Sequence, residues 1–334
     1  MLYTTHDRSG IAKVLQFLKA HHLEYLSGED LSEVLKISRV AVWKHIKKIQ
    51  SLGYEIESKQ NLGYRLTGTT DLMLPWEITD GLKTKQIGKT VYYFDSIDST
   101  QNFAASIAKK HNDDGAVIIA ETQISGKGRQ GRKWISPRGG IWLSVILHPK
   151  FDVGKVTLVP FAAAIALSDA IKKILGIKTE LKWPNDVTLN GKKIAGMIID
   201  ASIESTRIEN LILGVGINFR VNPKQIEKRI KDGNNFYGVA TLVGKNNEVK
   251  PAKLVQAFLE ELERGLLLFE EGKTQSIVEQ WSKRSSTIGK NVRVSAPEGK
   301  ISGKAIKLDK DGGLIIKQDS KSLRITAGDV IHQR

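Results

Sequence analysis

Apolar positions recur with a helical period near the start of the chain. Ile11, Val14, Leu15 and Leu18 share one face of a helix predicted over residues 10–22. Ser27, followed three residues later by Asp30, gives a capping-box-like start to a short second helix over 29–35. Ser38 opens a third helix over 39–52, and Gly53 stands where a helix stop is expected. The inner stripe of this third helix reads Val42, Trp43, Ile46 and Ile49, while Arg39, Lys44, His45, Lys47 and Lys48 fall largely on its other sides. The period then changes: residues 54–58 and 64–66, joined by a turn through 59–63, read as a β-hairpin. Three helices with a tight turn and a hairpin match a winged helix-turn-helix, assigned to residues 1–68.

Residues 67–75 are turn-rich and have no clear period, so a linker and domain boundary are placed there. Beyond them the patterning alternates between strands and helices. Strands are predicted at 90–94, 116–120 and 141–147, a helix at 101–110 capped by Ser99 or Thr100, and a buried Ala-rich helix at 157–175. Asn190-Gly191 is a strong hairpin signal, folding a strand through Val187 back onto residues 194–200. In the apolar strand at 210–218, Gly214 and Gly216 permit close approach of another group. Helices follow near 251–269 and 273–285, and residues 291–332 alternate short β segments with Gly and Asp-Gly turns, as in a small barrel. The expected division is a winged helix over 1–68, a catalytic domain over 69–285 and a C-terminal domain over 286–334.

Composition narrows the chemistry. With 334 residues, 40% hydrophobic and 26% charged, the chain suits two or three globular domains. No apolar run reaches membrane-span length and no signal-peptide core is seen, so no membrane partner is expected and the cytoplasm is the expected location. Zero cysteines exclude disulfides, zinc–thiolate sites and a thiol nucleophile. Seven scattered histidines lack any HExxH-type pairing, so no metal held by the protein alone is expected. A formal net charge of +15 reads either as a solubility effect or as the mark of a polyanionic partner, and alone it does not choose between nucleic acid, a nucleotide substrate and an acidic protein. Five Lys/Arg and no acid lie in the stretch from Lys36 to Lys48, both included. A basic third helix beside a wing is the pattern that enters a major groove, with Arg39, Lys44, His45 and Lys48 as candidate DNA contacts.

The densest chemistry lies at 124–134, ISGKGRQGRKW, where three glycines alternate with Lys127, Arg129, Arg132 and Lys133. Glycine lets a backbone approach a ligand closely, and arginine presents a fork of donors to carboxylate or phosphate. Gly126, Gly128 and Gly131 satisfy G-x-G-x-x-G, with Asp152 near the ribose-acid position, but a dinucleotide fold needs a helix to start there. Pro137, Gly139 and Gly140 break any such helix, and Arg132-Lys133 replaces the Lys-Ser/Thr of a P-loop. The loop therefore joins two strands. A second unusual segment, Leu181-Lys-Trp-Pro-Asn-Asp-Val187, leads into the Asn190-Gly191 turn and Lys193.

Taken together, SGKGRQGRKWISP, KWPNDV, Lys193 after that hairpin and GVGIN resemble the biotin–protein ligases, and the winged helix makes the chain similar to their bifunctional class, ligase plus biotin-operon repressor. The resemblance covers almost the whole chain. It implies an α+β fold: an N-terminal winged helix-turn-helix, a central class II synthetase-like mixed-sheet catalytic domain and a C-terminal SH3-like small β-barrel. It also implies two steps. Biotin and ATP, with Mg2+ carried by the nucleotide, give biotinyl-5′-AMP; a lysine of a biotin carboxyl carrier protein then attacks the acyl carbon. Ser99, Thr100, Gln101, Gln123, Lys127, Gly128, Arg129 and Lys193 would line the biotin and adenylate site, and Arg129, Arg132, Trp134, Asn185 and Asn218 would meet the nucleotide. Operator DNA and a ligand-promoted homodimer complete the implied partners. Two departures stand out: Lys127 occupies the first Arg of the family's G-R-G-R-x-G-R loop, and Gln101-Asn102 replaces its commoner Asn at 101.

The residue chemistry agrees. In acyl-adenylate formation a carboxylate attacks the α-phosphorus and negative charge accumulates there, so fixed cations and N–H groups lower the barrier. Arg129 and Lys193 are the candidate catalytic cations. Asp186 is a candidate for Mg2+ or acceptor-amine contact, or else a turn cap after Pro184. No covalent nucleophile is needed. A purely regulatory, biotin-sensing relative and a lipoate ligase are the competing classes.

Overall fold

The computed structural model describes residues 2–5, 10–108, 113–230, 238–296 and 299–332. A short strand, β1 (Leu2–Thr4), precedes the winged helix of α1 (Gly10–Ala20), α2 (Gly28–Leu35), α3 (Arg39–Ser51), β2 (Glu55–Lys59) and β3 (Gly63–Gly68). Caps set the helix starts: Ser27 and Asp30 exchange side chain-to-backbone bonds, and Ser38 accepts from the Ala41 amide at 3.1 Å. Val14, Leu15, Leu18, Leu31, Val42, Ile46 and Ile49 form the module's buried centre. Trp43, expected on the inner stripe of α3, is instead 52% exposed. Its position lies at the edge of that stripe, and Val42, Ile46 and Ile49 already fill the inner side.

The central domain holds α4 (Pro75–Thr79), β4 (Val91–Phe94), α5 (Thr100–Ile107), β5 (Val117–Ala120), β6 (Ile141–Leu147), α6 (Val159–Leu175), β7 (Glu180–Lys182), β8 (Asp186–Leu189), β9 (Lys192–Glu204), β10 (Arg207–Ile217), α7 (Pro223–Glu227), α8 (Pro251–Glu270) and α9 (Thr274–Lys283). The last two residues of the helix predicted over 101–110 lie outside the described residues. Eight strands form one mixed sheet in the order β1-β4-β5-β6-β10-β9-β8-β7. Only β4 and β5 run parallel among the described pairs. Both faces are covered, which the near-continuous apolar strands require. On one face α5 buries Ala104 and Ala108 against Ile118, Ile146 and Ile212; on the other α6 packs against β9 and α8. The Asn190-Gly191 turn joins β8 to β9 with both residues at positive φ (51° and 74°), the backbone of a type I′ hairpin. No described helix is long and apolar enough to cross a membrane.

The segment read as a linker is packed. Met73 and Leu74 are buried, Thr70 donates to the Leu52 carbonyl at 2.6 Å, and the Met73 amide donates to Glu121 at 3.3 Å. Residues 2–4, placed by the sequence with the winged helix, extend the central sheet through β4. Tyr3 packs edge-on to Trp76 with ring centroids 5.7 Å apart. The winged helix is thus held from both of its ends. The C-terminal unit is a five-stranded antiparallel sheet of β11 (Asn291–Ala296), β12 (Gly299–Leu308), β13 (Leu314–Gln318), β14 (Lys321–Ile325) and β15 (Asp329–His332), ordered β14-β13-β12-β11-β15. It is anchored to the KWPND segment, where the Trp183 amide donates to Thr287 at 3.1 Å and its indole N–H to the Gly312 carbonyl at 3.0 Å.

Candidate functional site

The glycine-rich stretch is a hairpin connecting β5 to β6. Gly128 N–H donates to the Arg132 carbonyl and Trp134 N–H to the Gly126 carbonyl, both at 2.8 Å. Its tip is a single 3-10 turn over Arg129–Gly131, with Gln130 at φ 54° and Gly131 at φ 71°. No α-helix starts in it, so neither the dinucleotide-binding nor the P-loop pattern applies. Gly126 is sterically required, because a Cβ there would lie 2.5 Å from the Trp134 carbonyl oxygen.

This hairpin closes over a cavity of about 190 Å³. All the ligand-site residues expected from the sequence line it: Ser99, Thr100, Gln101, Gln123, Lys127, Gly128, Arg129, Arg132, Trp134, Asn185, Asp186, Lys193 and Asn218. At one end, the N-terminus of α5 builds a polar wall. Ser99 caps the helix, and Thr100 donates from its amide to Gln123 Oε1 at 2.9 Å. Gln101 is buried, donating to Asp200 and to the Ile212 carbonyl at 3.0 Å each and accepting from Ser144 at 2.9 Å. Its carboxamide is satisfied by the protein, so the residue at 101 fixes the wall more than it offers free valences. The floor is the β9–β10 ribbon, where Gly214 and Gly216 leave room: a Cβ at 214 would meet Gln101 Oε1 at 2.6 Å, and one at 216 the Trp134 indole at 2.5 Å. The close approach expected at both glycines is therefore made by side chains of this chain.

At the other end lie the charges. Lys193, just past the β8–β9 turn, pairs with Asp186 at 2.7 Å, and its ammonium stands 4.9 Å from the centroid of the Trp134 ring. Asp186 is the first residue of β8, directly after the turn through Pro184. Arg129 reaches inward to Asn185 Oδ1 at 3.2 Å and to the Gly328 carbonyl at 3.3 Å. Burial pushes its guanidinium below the usual range, against the opposing pull of Asp329 and Asp186. Arg132 forms an ion pair with Asp329. Asn218 is fixed through its amide to the Ile194 carbonyl at 2.7 Å and through its carboxamide to the Lys193 carbonyl. Lys127 is exposed on the hairpin.

Three participants escaped the sequence. Lys182 is buried in the cavity wall, and desolvation, aided by Lys193, pushes its ammonium down to about 8. A lysine between Leu181 and Trp183 in an apolar strand was the available signal. Gly328 and Asp329 come from the C-terminal sheet, about 200 residues from the hairpin they clamp, and nothing local announces them. Among the described residues no group of three or more His, Asp or Glu converges as a metal site.

The winged helix presents a different surface. On α3, Arg39, Val40, Trp43, Lys44 and Lys47 are exposed. Arg39 and Lys44, two of the expected DNA contacts, are thus open to solvent. His45 does not: it is only partly exposed, and its ring sits where a Cβ on Gly10 would lie, 2.2 Å from His45 Nε2. Lys48 is half-buried on the flank, and Lys47 occupies the outward position in its place.

Known proteins match this architecture in order. The HTH domain family matches residues 11–65, the Biotin/lipoate A/B protein ligase family 93–218, and the Biotin protein ligase C terminal domain 287–333. The bifunctional ligase/repressor BirA of Bacillus subtilis is 32% identical over 310 residues, 92% of this chain and 94% of that protein. BirA of Escherichia coli is 28% identical over 89% of each chain. The biotin protein ligase of Aquifex aeolicus, solved in complex with biotin and ATP, superposes with a TM-score of 0.61 at 28% identity, covering 75% of this chain and all of that one.

Proposed function

The chain belongs to the bifunctional biotin ligase/repressor family, and we propose that its cavity makes biotinyl-5′-AMP from biotin and ATP and passes the biotin to a lysine of a biotin carboxyl carrier protein. The observation that carries this reading is the convergence of four sequence-distant segments on one cavity: the α5 N-terminus, the glycine hairpin, KWPND with its following turn, and the β10 glycines. The polar wall of Thr100, Gln101 and Gln123 suits the biotin end, and the Arg129–Lys193–Asp186 end suits the nucleotide.

In the first step a biotin carboxylate oxygen bonds to the α-phosphorus and the bond to the leaving pyrophosphate breaks. Mg2+ enters with the ATP phosphates as part of that substrate. Lys193 and Arg129 are positioned before the reaction by Asp186, Asn185 and the Gly328 carbonyl, so no reorganisation is needed when charge builds on phosphorus. Arg132 and Asp329 tie the hairpin down over the product, keeping water from a reactive mixed anhydride. In the second step the neutral amine of the carrier lysine bonds to the acyl carbon, the acyl–O bond to AMP breaks and the nitrogen gives up a proton to Asp186 or water; Asp186 is the carboxylate in this part of the cavity wall. Lys127, exposed and without the fork of an arginine, acts as a point charge.

The winged helix is the DNA-binding repressor module. We infer that biotinyl-AMP orders the hairpin and adjoining surfaces, favouring a homodimer that meets two operator half-sites, and that the protein works in the cytoplasm, where ATP and operator DNA occur together. The deciding experiment is mass spectrometry of the purified chain after incubation with biotin and Mg·ATP, with lipoate as competitor. Retained biotinyl-AMP undiminished by lipoate is expected. Neither retained adenylate nor biotin-dependent pyrophosphate exchange would leave a biotin sensor without ligase activity.

A further inference from the structure

The outward face of α3 carries something that phosphate attraction does not require. Val40 is 62% exposed and Trp43 52% exposed, both within the first five positions of the helix. With Lys44 and Lys47 they make an i, i+3, i+4, i+7 row facing away from Val42, Ile46 and Ile49, with Trp43 on the edge of the row nearer that inner stripe. Exposing two large apolar side chains to water is unfavourable, and the inner side has no vacancy to explain Trp43's orientation. The surrounding charge names the occupant. Arg39, Lys44 and Lys47 flank the pair, α3 contains no acidic residue, and among the described residues these three cations make no ion pair. A protein partner would need matching acids around an apolar patch, whereas duplex DNA supplies phosphates on both rims of its major groove. On the groove floor the apolar group is the C5-methyl of thymine.

We propose that Val40 and Trp43 read thymine methyl groups in the major groove, making them the sequence-determining residues of the winged helix. This rests on the DNA-binding reading above and adds what the module discriminates. Arg39, Lys44 and Lys47 then provide the sequence-independent attraction. The first turns of a recognition helix are the ones that meet base edges, and Val40 and Trp43 both lie there.

The test uses the full chain with biotinyl-AMP and a randomised duplex library. The selected duplex is resynthesised with dU replacing dT at one position at a time, which removes only the methyl. Two positions per half-site should weaken wild-type binding by about fourfold each, the equivalent of one buried methyl group. Trp43→Ala should bind the dT and dU duplexes equally at one position, and Val40→Ala at the other. Trp43→Phe, which keeps an apolar ring, should retain the discrimination. Lys44→Ala should weaken both duplexes by one factor and leave their ratio intact. Thermal unfolding midpoints matching wild type exclude misfolding of these exposed-site variants. The proposal is overturned if no dU position affects the wild type, or if discrimination persists in both alanine variants. It is also overturned if Trp43→Ala alters self-association and not the dT/dU ratio, which makes the pair a contact between copies. Failure to select any duplex removes the DNA-binding reading itself, a different result from selection without methyl discrimination.

Discussion

The chain uses the same residue types, lysine and arginine, in two opposite ways. Around the cavity, Lys193 is paired with Asp186, Arg132 with Asp329, and Arg129 is held by Asn185 and the Gly328 carbonyl. On α3, Arg39, Lys44 and Lys47 stand exposed with no ion pair among the described residues. The first arrangement fixes charge in place where the dielectric is low, which is what a developing phosphorane requires. The second leaves charge solvated and mobile, which is enough to displace counterions from a polyanion. Net charge adds the two together and hides the difference.

Removing a fixed charge should give the largest effect. Lys193→Ala is expected to slow adenylate formation by roughly 10²–10³, the loss typical of one preorganised donor, and to slow transfer from preformed biotinyl-AMP much less. Single-turnover rates of the two steps check this; equal losses would make Lys193 a binding or structural residue. Arg129→Gly comes next. Losing a charge-assisted donor costs about 1.5–3 kcal/mol, or roughly 10- to 150-fold in adenylate retention. It also removes one of the hairpin's two ties to the C-terminal sheet, leaving the Arg132–Asp329 pair, so escaping adenylate should label bystander lysines. Retention and selectivity equal to wild type would count against the clamp.

On the solvated side the effects should be smaller and depend on salt. Lys44→Ala or Lys47→Ala should each reduce the slope of log affinity against log salt by about one unit for a duplex of any sequence. An unchanged slope would move the phosphate contacts elsewhere, Lys48 being the next candidate.

The subtlest effect concerns Lys182. Its ammonium, pushed down to about 8 by burial, is charged below that pH and neutral above it, so adenylate retention should weaken by a few fold as pH rises through about 8. Stability should move the other way. The unfolded lysine keeps its proton up to its ordinary value of 10.5, so between about 8 and 10.5 the unfolded state binds more protons and stability rises with pH. Lys182→Met should flatten both trends, as followed by thermal unfolding and ligand retention across that range. Persistence of either trend in the variant would assign it to another group.

Much of the site was legible because its signals are local. Glycines that need positive φ or close approach, a type I′ turn and a cap at Ser99 each declare themselves within a few residues. The unread features are long-range. Asp329 and Gly328 lie about 200 residues from Arg129 and Arg132, and only the docking of the C-terminal sheet brings them together. β1 escaped because three residues carry no period, and the packed linker because turn residues look the same buried or exposed. On α3 the helical period places Trp43 at the border between inside and outside, where pattern alone does not decide. His45 was grouped with the cations by sequence distance, though its ring turns back to Gly10.

The most direct test of the contrast is one salt titration of the full chain read two ways, as retention of biotinyl-AMP and as affinity for the selected duplex. Fixed, paired charges predict nearly constant adenylate retention, and solvated ones predict duplex affinity that falls steeply and linearly in log salt, with a slope set by the number of phosphates met. Parallel curves for the two ligands would contradict the account, because they would mean that the cavity and α3 hold their cations in the same way.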